Sequence, residues 1–252
     1  MPFAEPGSLH ALFEFLGLAV GVQLYRHLRR RQGGSLLQGA GFAVALGCVF
    51  GAAIGNKLVF WAEFPHLLPL YWNRPEVWLA GQSMVGGLLG GLLGVELAKR
   101  SVGLRASTGD TFVLPVLLGL MIGRVGCFLA GLADGTYGNP TALPWGVDFG
   151  DGIARHPTQL YEIAFAALLA WGLHRLDPRL SPVPGLRFKL MLATYLLWRL
   201  LVDGLKPVPF DYGLGLSGIQ VVCVVALLLY GPLLVRDIQR LRRGVSVSCH
   251  PL

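Results

Sequence analysis

The sequence predicts an all-α, polytopic membrane protein: seven transmembrane helices with a small cap on the outer face formed by residues 132–156. Three observations lead there. Of 252 residues, 54% are hydrophobic and 14% charged, where soluble domains carry ~25% charge. The apolar residues fall in long runs. The 21 basic residues sit mostly between those runs, in clusters that alternate in size. The composition excludes a disordered chain and argues against an ordinary soluble enzyme. A span takes ~20 apolar residues, so seven use about 140 and leave roughly 110 for loops and ends. The chain is read as one integral-membrane domain, 1–252.

The spans are expected at about 9–26, 36–61, 77–98, 110–131, 157–174, 187–206 and 213–235. Residues 1–8 lack a basic n-region, so the first run is read as a retained helix rather than a cleaved signal. Arg26, Arg29, Arg30 and Arg31 follow the first span. Lys99, Arg100 and Arg105 follow the third, and Arg175, Arg179, Arg187 and Lys189 the fifth. Arg236, Arg240, Arg242 and Arg243 follow the seventh. The opposite side holds Arg74, Arg155 and Lys206. The positive-inside rule puts the larger set in the cytoplasm, with the N-terminus outside and the C-terminus inside. The net charge of +7 is thereby explained by topology, which disfavours a nucleic-acid role.

The second span carries Gly47, Gly51 and Gly55 four apart, and the third reads GGLLGGLLG over 86–94. Small residues at this spacing let helix backbones approach closely; the alternative is that one glycine face makes room for a lipid chain. Trp61, Trp72, Trp78, Trp145 and Trp198 fall near expected outer interfaces, as an aromatic belt would. The Gly-, Asp- and Pro-rich loop 132–156 has turn-forming composition. Four cysteines without a CxxC give no reason to expect a disulfide framework or a zinc site. No metal or cofactor is expected.

Charges inside apolar runs need a reason, because a cation at the bilayer centre costs ~2.5–3.5 kcal/mol on insertion scales. Lys57, Arg124 and Arg199 are three such cations. Converging at one depth, they would make an anion site, and arginine suits phosphate because its fork meets two oxygens. The abundant anion at that depth is a phospholipid headgroup. Asp203, four residues after Arg199, offers that arginine a partner on the same face. The segment RHPTQLYE, 155–162, opens the fifth span. Pro157 suits a first helical turn. His156, Gln159, Tyr161 and Glu162 could move protons or hold a headgroup, or simply form a satisfied interfacial cluster. His10 and Glu14, four apart in the first span, are read as a structural pair.

At these residues the chain resembles the prolipoprotein diacylglyceryl transferase family of bacterial membrane enzymes. The matching pieces are Asp110 with Pro115, GRVGCF over 123–128, Pro140 with Thr141, Pro144 with Trp145, and RHPTQLYE over 155–162. Arg199 with Asp203 and Ser217 with Gln220 follow in order. The arginine motif is weak alone; followed about 30 residues later by RHPTQLYE it is specific. The resemblance implies transfer of a diacylglyceryl group from phosphatidylglycerol to a lipobox cysteine thiol, with release of glycerol phosphate and no cofactor. It implies a multi-pass protein of the bacterial inner membrane with a periplasmic N-terminus, acting on phosphatidylglycerol and a prolipoprotein signal peptide in the bilayer. It assigns lipid binding and catalysis to Arg124 and Arg199, with His156 and Glu162 as further catalytic candidates. Lys57, Gln159, Tyr161, Asp203 and Cys127 are the substrate-binding candidates. The chain departs from the family at Cys127 (usually Asn), Leu132 (acidic), Asp203 (Glu), Lys57 (Arg) and Val85 (His). The last removes one candidate general base and shifts that role to His156 or Glu162. Two alternatives stand beside the main reading: the same lipid site with a different acceptor, and a non-catalytic transporter of an anionic lipid. No internal repeat supports the transporter.

Overall fold

The computed structural model describes residues 6–32, 39–74 and 81–244. Among them run seven helices of 17 residues or more: α1 Pro6–Arg31, α2 Ala40–Glu63, α3 Met84–Ser101, α4 Val113–Ala130, α5 Thr158–Leu180, α6 Leu186–Val202 and α7 Gly218–Arg242. Each matches one expected run. The first parts of the second and third expected runs, and Trp78, fall outside the described residues. A short helix, Leu68–Tyr71, follows α2. A two-residue ladder, β1 Val147–Asp148 against β2 Ala154–Arg155, ties the loop between α4 and α5. Among the described residues, three helical stretches, Ala40–Glu63, Asp110–Asp134 and Gly218–Arg242, are long and apolar enough to cross a membrane.

Burial is inverted relative to a soluble protein. Phe15, Leu18, Phe50, Ile54, Leu93, Leu168, Trp171, Leu201, Leu228 and Leu229 are all exposed, from α1, α2, α3, α5, α6 and α7. Arg124, Glu162, Arg199, Asp203, Gln220 and Asp237 are buried. A monomer in water rarely shows so much contiguous apolar surface, whereas charged groups in membrane helices turn into the bundle and pair there. The chain is an all-α membrane protein.

Close packing follows the glycines. α2 and α3 run antiparallel: a Cβ on Gly47, Gly51 or Gly55 would meet the carbonyl oxygens of Gly94, Gly90 and Gly86 respectively. Packing is thus what this glycine face does. Gly17 meets Gly119, Gly21 meets Pro115, and Gly126 meets Phe13, which sets α1 antiparallel to α4. That pairing brings His10, near the start of α1, to the end of α4.

Polar caps fix the helix starts. Ser83 caps α3 through its hydroxyl to the Gly86 N–H (3.3 Å), and its own N–H donates to Asn56 Oδ1. Asp110 receives the N–H groups of Gly185 (2.5 Å) and Phe188 (3.0 Å) and so anchors the start of α6. Ser217 and Gln220 form a reciprocal capping box on α7. The expected seventh run began five residues too early. Gly213, Leu214 and Gly215 all have positive φ, which no helix tolerates in sequence, and the Ser217 cap sets the true start. The ring of Trp198 stacks on Phe165 at 4.4 Å.

Candidate active site

α4 carries Arg124, α5 carries Glu162, and α6 carries Tyr195 and Arg199, with Asp203 at its C-cap continuing the same four-residue spacing. These five meet inside the bundle. Glu162, 1% exposed, lies at the centre. Its Oε2 is 2.8 Å from Arg124 Nε and 3.3 Å from Arg199 Nη1, and its Oε1 accepts the Tyr195 hydroxyl at 2.7 Å. Arg199 Nη2 donates to both oxygens of Asp203, at 2.8 and 2.9 Å, the i,i+4 pair read from the sequence. Lys206 adds a contact to Asp203 at 3.2 Å.

The two arginines differ in how fully they are used. Arg199 is committed to two carboxylates. The Arg124 Nε–Glu162 approach is close but lacks hydrogen-bond alignment, so the attraction is ionic. The other described contact of Arg124 is a long one, Nη1 to Cys127 Sγ at 3.8 Å. Arg124 therefore keeps N–H groups that a phosphate oxygen could take. The directly joined groups hold three formal cations (Arg124, Arg199, Lys206) against two carboxylates (Glu162, Asp203). One positive charge in excess suits a phosphodiester monoanion.

The remaining sequence candidates separate into neighbours and outliers. His156 is not helical: it lies before the Pro157 cap, held through its backbone to Gly138 and Asn139. Its Nδ1 is 3.2 Å from the Tyr161 hydroxyl, which also accepts Trp145 Nε1–H at 2.8 Å. His156 and Tyr161 thus form a second cluster with Trp145 from the loop. Gln159 is 1% exposed, and neither amide atom has a hydrogen-bond partner among the described residues. Lys57 donates to the Gly81 carbonyl (2.5 Å), in the connection ahead of α3, and the described contacts of the bridge join Arg124 and Arg199 with Lys206. Val85 is fully buried in the apolar core, so no proton acceptor stands at that position.

Tyr195 and Lys206 were missed. Tyr195 had a usable signal, its i−4 spacing from Arg199. In the loop, Arg155 donates to Asp151 (2.6 Å), and this hydrogen bond holds the Asp151 carboxyl below its ordinary range. A separate cleft lined by Gly87, Gly91, Phe112, Val116, Phe188 and Tyr230 lies toward the other end of the bundle.

A family model described as prolipoprotein diacylglyceryl transferase matches residues 8–236. A Geobacter sulfurreducens protein named phosphatidylglycerol--prolipoprotein diacylglyceryl transferase is 32% identical over 82% of this chain and 84% of its own length. Proteins of the same name from Nitrosospira multiformis and Bordetella avium are 35% and 34% identical. Those matches cover 63% and 67% of this chain, and 56% and 66% of the relatives. The chain thus spans just over half of the Nitrosospira relative's length. No solved structure matches. On the family match and this similarity, the chain belongs to the prolipoprotein diacylglyceryl transferase family.

Proposed function

We propose that the chain transfers a diacylglyceryl group from phosphatidylglycerol to the thiol of a prolipoprotein lipobox cysteine and releases glycerol phosphate. The observation that carries this reading is the buried Arg124–Glu162–Arg199 bridge with its excess of positive charge. An acceptor thiolate attacks the glycerol carbon that bears the phosphate. A C–S bond forms, the C–O bond breaks, and the electron pair leaves on the phosphate oxygen. Arg124, with N–H groups to spare, meets that developing charge, and Arg199 and Lys206 set the field behind it. Preorganised donors in a water-poor site are commonly the largest catalytic contribution. Glu162 keeps the guanidiniums in place when lipid is absent. Gln159, buried with unused polar atoms, is a natural headgroup contact, and Tyr161 with His156 lies at the entrance to α5. Cys127 borders the site through Arg124, and Asp203 acts by orienting Arg199.

Around this site the reading has seven spans, a periplasmic N-terminus, a cytoplasmic C-terminus and residues 132–156 as a periplasmic cap, all in one inner-membrane domain. The basic last turns of α1, α3, α5 and α7 support it. The cleft lined by Gly87 and Gly91, with Gly87 open where Gly86 and Gly90 are packed, suits an acyl chain. A different acceptor is the second reading, favoured by apolar Val85 where the family has histidine.

Purified chain incubated with phosphatidylglycerol and a lipobox peptide should release glycerol phosphate and add one diacylglyceryl mass to the peptide. A Cys-to-Ser peptide should do neither. Glycerol phosphate released without peptide modification would favour the different acceptor.

A further inference from the structure

Beside Arg124 lies a second constellation that the phosphate chemistry does not use. His10 from α1, Cys127 from α4 and Asp134 from the turn after α4 place one nitrogen, one sulfur and one oxygen within 4.8 Å of one another. His10 Nδ1 is 2.9 Å from Asp134 Oδ1, yet off hydrogen-bond alignment, so this buried nitrogen has no hydrogen-bond partner. The other ring nitrogen, Nε2, lies 3.1 Å from Glu14 Oε1, and the second oxygen of Glu14 accepts Gln82 Nε2–H at 3.2 Å.

We propose that His10, Cys127 and Asp134 form a three-ligand site for a soft divalent cation such as Zn2+, with its fourth position open to the acceptor thiol.

The donor set is the argument. A catalytic zinc takes three protein ligands from Cys, His and Asp or Glu and leaves one position for substrate. A ligating histidine almost always gives its other N–H to a carboxylate, which fixes tautomer and ring orientation. Glu14 stands in that place here, itself held by Gln82. Charge closes as well: a Cys127 thiolate and an Asp134 carboxylate neutralise a divalent ion, so the site can sit beside Arg124, whose Nε lies against Glu162 and whose Nη1 reaches the Cys127 sulfur only at a long 3.8 Å. The ligand atoms need only small shifts, since Zn–N, Zn–O and Zn–S bonds of ~2.0–2.3 Å set ligands within ~4 Å of one another.

The chemistry follows, resting on the transferase reading for its acceptor. A free thiol with pKa ~8.5 is a poor nucleophile near neutrality, and Val85 leaves no histidine at the family position to take its proton. A metal-bound thiol is deprotonated outright. The acceptor thiol releases its proton to solvent on coordination and attacks the glycerol carbon as thiolate. The C–S bond forms as the C–O bond breaks, and the electron pair leaves with glycerol phosphate beside Arg124. The thioether product carries no charge, binds the cation weakly and departs.

The test reads metal directly, without lipid or activity. Metal-stripped full chain in detergent is titrated with Co2+. One equivalent should bind, with a thiolate-to-cobalt charge-transfer band that added Zn2+ abolishes. The band should vanish in Cys127→Ser, and affinity should fall at least tenfold in His10→Ala and Asp134→Asn and ~10–100-fold in Glu14→Gln. Circular dichroism confirms that each variant is folded; should Cys127→Ser not fold, His10→Ala carries the same comparison. No charge-transfer band in the wild-type chain, or a band that survives in folded Cys127→Ser, overturns the metal site. Added lipobox peptide should intensify the band and a Cys-to-Ser peptide should not. Metal bound without that response overturns the acceptor role alone, and a transferase assay that fails while cobalt binds separates the two readings.

Discussion

Arg124, Arg199, Glu162 and Asp203 were legible in the sequence because charge in an apolar run demands a partner, and the structure pairs them. Glu14 was legible as a partner of His10, but Cys127 and Asp134 were not. Residues 10, 127 and 134 meet only because α1 packs antiparallel on α4, and no local spacing records that. The Lys57 contact to the Gly81 carbonyl was not legible, because a position within an apolar run says nothing about which way the side chain turns. Two predictions belong at this scale. Glu162→Gln leaves Arg124 and Arg199 buried together with one balancing charge fewer. Breaking a buried pair in this way costs roughly 3 kcal/mol, so the thermal midpoint in detergent should drop clearly; an unchanged midpoint would mean the bridge contributes nothing. Lys57→Arg, by contrast, keeps a cation next to the Gly81 carbonyl and should retain most of the turnover, measured as glycerol phosphate release. A loss as large as an Arg124 variant shows would place Lys57 at the phosphate site.

The helices themselves were largely legible from apolar length, but their C-terminal ends were not: α1, α3, α5 and α7 run past the expected ends at 26, 98, 174 and 235 to Arg31, Ser101, Leu180 and Arg242, through basic residues read as connections. The start of α7 was not, because Asp211–Leu216 is apolar enough to pass for helix until its three positive φ angles are known. The glycine stripes were legible as small-residue periodicity, but not which stripe packs and which stays open. Gly90 lies against the Gly51 carbonyl and has no room for a Cβ, while Gly87 has nothing within 4 Å. Gly90→Val should therefore force α2 and α3 apart and destabilise by roughly 1–3 kcal/mol or more, whereas Gly87→Ala should leave the midpoint within about 0.5 kcal/mol of the parent. Thermal unfolding of the two variants side by side checks this. Equal effects would mean that the glycine face does not hold the α2–α3 pair together.

At the scale of the whole molecule, an apolar exterior encloses a polar interior, and both the asymmetry of basic residues and the family place this bundle in a membrane. Orientation is the property that remains to be measured on the chain itself. A reporter fused after Gly244 should behave as cytoplasmic, and one inserted in 132–154 as external; a cytoplasmic signal from the second would reverse the topology. The central claim is that this bundle uses an arginine fork to carry the departure of phosphate from a membrane lipid. Arg124→Lys keeps the charge and removes the fork. In single-turnover reactions with phosphatidylglycerol and lipobox peptide, wild-type chain should yield modified peptide and glycerol phosphate in equal amounts. Folded Arg124→Lys should react about a hundredfold more slowly, a loss of roughly 3 kcal/mol in transition-state stabilisation. Near-normal turnover by Arg124→Lys would contradict the account and leave the Arg124–Glu162 contact as a structural pair.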